Sequence, residues 1–185
     1  VSDPTPEEIQ LRRRELTVLR RVLMAASPQE GCALLLGVVV RSVVRSAVLS
    51  GAASPSSAGG IIDPAPAPPR QPGIAAAALE IRLIWPCLNV WAPESERTRR
   101  FRLDPREQLL AQRWGRDHGL QVLGAAHSHP ASAARPSATD LELSMAPTLQ
   151  LILSPLEQWI PACWWLELDP DGRPSPRPLR WRMVD

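Results

Sequence analysis

The sequence contains no lysine and no tyrosine, a single phenylalanine (Phe101) and three cysteines in 185 residues. All 21 basic residues are therefore arginines, set among 21 prolines and abundant alanine, a bias that reads most simply as the product of a GC-rich coding sequence. Without lysine, no side chain is open to lysine-directed modification. Cys32, Cys87 and Cys163 are odd in number and form no C-x-x-C, which argues against a disulfide framework and a thiolate metal site and fits free buried thiols in a reducing cytoplasm. No apolar run approaches the ~20 residues of a spanning helix, the longest being Cys32 to Val40. The opening VSDPTPEEIQLRRRE is charged and lacks the apolar core of a signal peptide. A net charge of +2 gives no support to a nucleic-acid binder driven by bulk charge. A soluble cytoplasmic protein, off the membrane and off nucleic acid, is expected. Seven tryptophans take the place of the missing tyrosines and are expected to fill the core, with one or two free to face a partner.

The length suits one domain with a real core, spanning 1–185. Thr5-Pro6-Glu7-Glu8 has the form of a capped helix start, and Ile9, Leu16, Leu19 and Leu23 recur at helical spacing. Arg12, Arg13, Arg14, Arg20 and Arg21 fall mostly on other faces and read as a solvated surface. Ser27-Pro28 ends that helix, and Gly31 to Val40 is an apolar, β-branched run suited to a buried strand. Arg41 to Leu49 alternates less cleanly and fits either a second strand or a continuation. The segment 50–78 is rich in Pro, Ala and Ser and reads as a flexible insertion.

Strand character resumes over Leu79–Leu88, with Trp85 and Cys87 as inward candidates, and again over Arg99–Leu103. Asp104-Pro105-Arg106-Glu107 starts a second helix with a capping box, placing Leu110 and Trp114 on one face and closing at His118-Gly119. Leu120–Ala126 is a buried strand running into His127-Ser128-His129-Pro130, and Pro136-Ser137 begins a short helix. Leu149–Leu153 is another strand, and Trp164–Leu168, a turn at Asp169-Pro170-Asp171-Gly172 and Leu179–Val184 suggest a C-terminal hairpin with a long connection, 169–185 being its tail. Mixed helices and strands without βαβ alternation indicate an α+β (mixed α/β) fold.

His127 and His129 stand two apart at the end of a strand, so both imidazoles point to one side. Asp140 follows after a loop long enough to fold back. Two nitrogens and one carboxylate oxygen with a fourth position for water is the donor set of an open, catalytic zinc site. Taken alone, H-x-H also occurs in ordinary loops, and Ser137-x-x-Asp140 has the form of a plain helix capping box.

The stretch GAAHSHPASAARPSATD resembles the H-[ST]-H-P…S-x-x-D signature of the JAMM (MPN+, JAB-type) metalloprotease family, with His127, Ser128, His129, Pro130, Ser137 and Asp140 at matching positions. The family's distant P-x-E-x-C-G-x-L-x-G is similar to Pro28–Gly37, and Asn89 and Phe101-Arg102-Leu103-Asp104-Pro105 also look alike. The family often carries an aromatic just before H-S-H-P, where this chain has Ala125-Ala126, leaving the neighbouring pocket roomier. The resemblance implies a curved mixed sheet flanked by helices, with zinc near one edge, held by His127, His129 and Asp140. It further implies that Glu30 is the general base and that Ser137 hydrogen-bonds the oxyanion. The implied substrate is an amide or isopeptide at the C-terminal tail of a ubiquitin-like or sulfur-carrier β-grasp protein, the tail lying along a sheet edge. The competing expectation is a non-catalytic MPN-type scaffold. Cys32, two residues beyond Glu30, is expected to be a small buried residue and not a nucleophile.

Overall fold

The computed structural model describes residues 5–41 and 77–185. Their elements run β1 (Pro6–Arg12), α1 (Arg13–Ala25), β2 (Cys32–Arg41), β3 (Ala77–Cys87), α2 (Pro105–Asp117), β4 (Gln121–Ser128), α3 (Ala138–Leu143), β5 (Thr148–Leu153), β6 (Ala162–Leu168) and β7 (Pro174–Val184). The strands form a closed barrel in the order β1-β3-β2-β4-β5-β6-β7. Pairings β1/β3, β1/β7 and β4/β5 are parallel and the rest antiparallel. The mixed α/β character expected from the sequence is present, and the curved sheet closes on itself. Each strand is paired on both sides along part of its length, so among the described residues no strand is a whole free edge.

Closure depends on β1, which the sequence pattern assigned to the first helix. Residues Ile9 and Leu11 are buried while Gln10 and Arg12 are not, a two-residue alternation. Docked between β3 and β7, the segment gains two ladders of backbone hydrogen bonds, and tertiary pairing overrides the local capping signal. Pro6, lacking an N–H, stands at the strand's first residue, where it is tolerated. The helix therefore starts only at Arg13, and its Leu16, Leu19 and Leu23 face the core as their spacing required.

Both faces of β2 are covered, which is why its sequence is a continuous apolar run and not an alternating one. Ala33 and Leu35 meet the α1 side, in one cluster with Leu19, Ile81 and Leu151. Leu34 and Leu36 meet the α2 side, with Ala111, Trp85 and Trp114. Trp85 and Cys87 are only half-buried there. Of the seven tryptophans, Trp91 alone is in the buried class, at 8% exposure; Trp159, Trp165 and Trp181 cap the larger cluster from its rim.

Four further expectations change. Ala77 and Ala78, at the end of the expected insertion, are buried residues of β3; 50–76 and the strand expected over 42–49 lie outside the described residues. Arg99–Leu103 forms no strand, only a bridge between Asn89 and Leu103. Asp104 caps α2 by accepting from Arg106 N, but Glu107 accepts instead from Trp85 Nε1 at 2.9 Å, so no capping box closes. Leu110 is 52% exposed, and the inward face of α2 is Ala111, Trp114 and Gly115. The C-terminal hairpin is present, with β7 beginning at Pro174 directly after the turn. No helix among the described residues is long and apolar enough to cross a membrane.

At Gly37 the β2 and β3 backbones approach so closely that a Cβ would stand 1.9 Å from Glu80 O. Gly37→Ala is expected to destabilise the fold by about 1–3 kcal/mol, as overpacking of a well-filled site does, read as a lower midpoint in urea unfolding. An unchanged midpoint would mean that the strands can part there freely.

Candidate metal centre

Antiparallel register places Cys32 opposite Cys87 on one side and opposite His127 on the other. His127 therefore shares a face with Ala125 and Leu34, the α2 side of the sheet. Its ring stacks on Phe101, centroids 4.2 Å apart, and is fully buried. The intervening Ser128 points the other way, where its Oγ accepts from Gly31 N at 2.8 Å. His129 continues the β4–β5 ladder by donating its N–H to Leu153 O at 2.9 Å.

The loop after His129 is tied at three points. His129 Nδ1 meets Ala133 O at 2.7 Å, Ser154 Oγ donates to Ser132 O at 2.7 Å, and Trp164 Nε1 donates to Ala134 O at 3.1 Å. This brings Ser137 to the start of α3 and Asp140 into its first turn. The capping box is complete: Asp140 N donates to Ser137 Oγ at 3.2 Å, and Ser137 N donates to Asp140 Oδ2 at 2.7 Å. Cap and candidate ligand are thus the same residue. Asp140 Oδ1 lies 3.5 Å from His127 Nε2 and Oδ2 lies 3.5 Å from His129 Nε2, while the two Nε2 atoms are 3.0 Å apart.

These spacings fit one cation. Ligands bound at 2.0–2.1 Å to a tetrahedral zinc are separated by about 3.3 Å, close to each pairwise distance, with the two histidines facing different oxygens of the one carboxylate. The tautomer of His129 agrees as well. With its Nδ1 proton given to the Ala133 carbonyl, His129 has a lone pair on Nε2 directed at the shared point. His127 Nδ1 is buried with no hydrogen-bond partner among the described residues.

The electrostatics are those of a desolvated group of like and unlike charges. Burial raises the Asp140 carboxyl, but the two imidazoles beside it and the Ser137 N–H outweigh it and hold the group well below the usual carboxylate range. Burial lowers His127. Burial also acts to lower His129, yet Asp140, the Ala133 carbonyl and Glu30 raise it. Glu30 is 4% exposed, and burial, against the pull of His129 and with the push of Asp140, brings its carboxyl up to about 7. Glu30 is held by its backbone: its N–H donates to Arg97 O at 2.7 Å and its carbonyl accepts from Asn89 Nδ2 at 3.1 Å. Cys32 beside it is buried, with its thiol pushed up to about 12, which keeps it protonated and unreactive.

The family described as prokaryotic homologs of the JAB domain matches residues 13–167. The chain belongs to this family. Among solved structures, this JAB-type chain is similar to a Desulfitobacterium hafniense protein at 26% identity and TM-score 0.63, over 96% of this chain and 93% of that one. It is also similar to a Salinibacter ruber protein at 25% identity and TM-score 0.51, over 94% and 91% of the two chains. No curated protein matches it.

The structure brings His127, His129 and Asp140 together and sets Glu30 within electrostatic reach of them. Ser137 is exposed at the α3 cap, its hydroxyl accepting from Asp140 N and its own proton free to donate. The centre lies at the end of β4, between β2 and β5, and not at a lateral edge of the sheet. Two supports have roles that the sequence did not assign. Asn89 joins the Glu30 carbonyl to the Arg100 carbonyl and the Arg102 N–H, and the Ala133 carbonyl orients His129. Phe101 was marked in the sequence as the sole phenylalanine and as the start of the Phe101–Pro105 stretch that looks like the family.

Adding zinc to chelator-treated protein is expected to raise its melting temperature, since a cation that binds only the folded state stabilises it. His129→Ala should abolish most of that rise, while His118→Ala, on the exposed end of α2, should leave it intact. Equal responses would place the metal elsewhere.

Proposed function

We propose that this chain is a zinc-dependent peptidase or isopeptidase of the JAMM type, cutting an amide bond at the C-terminal tail of a ubiquitin-like or sulfur-carrier protein. One observation carries the reading: two imidazoles and a carboxylate converge at ligand spacing beside a buried glutamate brought up to about 7. A scaffold that only binds partners has no packing reason to bury two histidines and two acids around one point.

His127, His129 and Asp140 would hold the zinc. When bound, zinc supplies Lewis acidity, bringing the pKa of a water from 15.7 to about 7. Glu30 takes up a proton near neutral pH and returns it to the departing nitrogen, a task for which a carboxyl poised near the working pH is best matched. Ser137 donates its free hydroxyl proton to the oxygen on which negative charge develops. Burial of the centre, with Phe101 covering His127, limits competing water and strengthens each of these contacts. Three free thiols suit work in a reducing cytoplasm.

Glu30→Gln is expected to abolish hydrolysis of carrier-tail amides while leaving stoichiometric zinc in the protein, measured by metal analysis beside a cleavage assay. Ser137→Ala should lower the rate about 10²–10³-fold, the usual cost of losing an oxyanion donor. Cleavage undiminished in Glu30→Gln would sink the assignment of the base. Native, zinc-loaded protein inert on every carrier tail would favour the scaffold.

A further inference from the structure

A groove of ≈ 490 Å³ runs between α2 and α3 over β4 and β5, with Asp140 at its margin. Leu34, Val122 and Ala125 form part of its apolar floor, and Gln112, Thr148 and Gln150 offer neutral hydrogen-bonding groups along it. Its charges are sharply limited. Asp140 is the one acidic lining residue, and its carboxylate is already engaged by two imidazoles and Ser137 N–H. Arg102 is the one basic lining residue.

Arg102 is held ready at that wall. Its backbone N–H donates to Asn89 Oδ1 at 3.2 Å, which fixes where the side chain starts. Its guanidinium carbon lies 5.0 Å from the centroid of the buried Trp91 ring. Of its neighbours, Arg97 pairs with Glu94 at 3.3 Å and Arg100 with Glu96 at 3.4 Å, while Arg99 has no acidic partner among the described residues. Among the described residues Arg102 has none. A guanidinium resting on an aromatic face keeps its N–H edges available for the planar, two-pronged grip of a carboxylate.

We propose that Arg102 is a specificity-determining residue that selects peptides carrying a carboxylate on the segment lying in this groove. This rests on the peptidase reading of the adjoining metal centre. Asp140 lines the groove and so puts that segment beside the metal centre, and a lysine or arginine on it would meet like charge with no free acid to answer. The carboxylate is either an acidic side chain or the peptide's own C-terminus; both present the same group to Arg102.

The test uses zinc-loaded Glu30→Gln protein and short acetylated alanine peptide amides in which one residue is replaced in turn by Glu, Gln or Lys, together with the all-alanine peptide ending in a free carboxylate. Affinities are read by calorimetry, and location by amide shifts of Val122, Ala125 and Thr148. A carboxylate peptide should bind about tenfold more tightly than its neutral counterpart, as a charge-assisted, two-pronged contact does. The Lys peptide should bind weakest, Arg102→Gln should level the series, and Arg102→Glu should reverse it. A preference that follows the Glu position assigns an acidic side chain; one that follows the free acid assigns the terminus. Equal affinities, an order unchanged in Arg102→Glu, or no shifts at the groove residues would overturn the proposal. Hydrolysis by the native chain separates the two readings. Acid-selective binding without cleavage overturns the peptidase and keeps Arg102, whereas cleavage with no acid preference does the reverse.

Discussion

Gly31 and Ser128 join the ends of β2 and β4 twice, by Ser128 N to Gly31 O at 3.0 Å and by Gly31 N to Ser128 Oγ at 2.8 Å. That junction holds the register in which Cys32 faces His127. A slip of one residue would turn His127 into the apolar cluster under α1 and bring Ser128 to the metal face. It also locates Glu30, the residue before Gly31, without any help from the glutamate's own side chain. Gly31 has no freedom to vary, because a Cβ there would lie 2.8 Å from Leu23 O and 2.9 Å from Leu23 Cα. The last turn of α1, the start of β2 and the end of β4 are therefore one packed unit, and the site inherits its geometry from it.

The rest of the centre is built by reusing structural contacts. Asp140 closes a helix cap with one oxygen and reaches both imidazoles with the pair. A side chain fixed by a capping box loses little further freedom on taking a ligand, so the donor set is ordered before any cation arrives. The same economy appears at Asn89, which bridges the Glu30 carbonyl and the segment bearing Phe101 and Arg102. One amide thus links the base, the ring covering His127 and the wall of the groove.

The chemistry was more legible in the sequence than the architecture. His127, His129 and Asp140 declare themselves because metal binding imposes a spacing on residue types that packing seldom needs, and the two-residue period of a strand says on which side the imidazoles lie. Asp140 remained ambiguous by spacing since cap and ligand have the same signature, and the structure shows the ambiguity to be real: it serves as the cap while standing at ligand distance. The core face of α1 was legible from Leu16, Leu19 and Leu23, but not its start. Nothing local distinguishes Pro6–Arg12 as a strand; its state is decided by β3 and β7, both more than 60 residues away in sequence. Barrel closure was hidden for the same reason. Glu30 carries no local mark either, because what raises its proton affinity is burial made by other segments.

The opposite displacements of Glu30 and Asp140 have a common origin. Two buried carboxylates near one point cannot both be charged cheaply in a desolvated setting unless positive charge answers them. The imidazoles and the Ser137 N–H face Asp140 and keep it ionised, whereas Glu30 is raised chiefly by its own burial, with His129 opposing and the Asp140 charge adding to it. Asymmetry between two similar acids therefore comes from position alone: one is fixed by a cap against both histidines, the other is held by its backbone a step away. A ligand and a base need this difference, the first being always charged and the second ready to exchange a proton. A fold that placed both acids equally near the imidazoles would bind a cation and have no group left to move the proton.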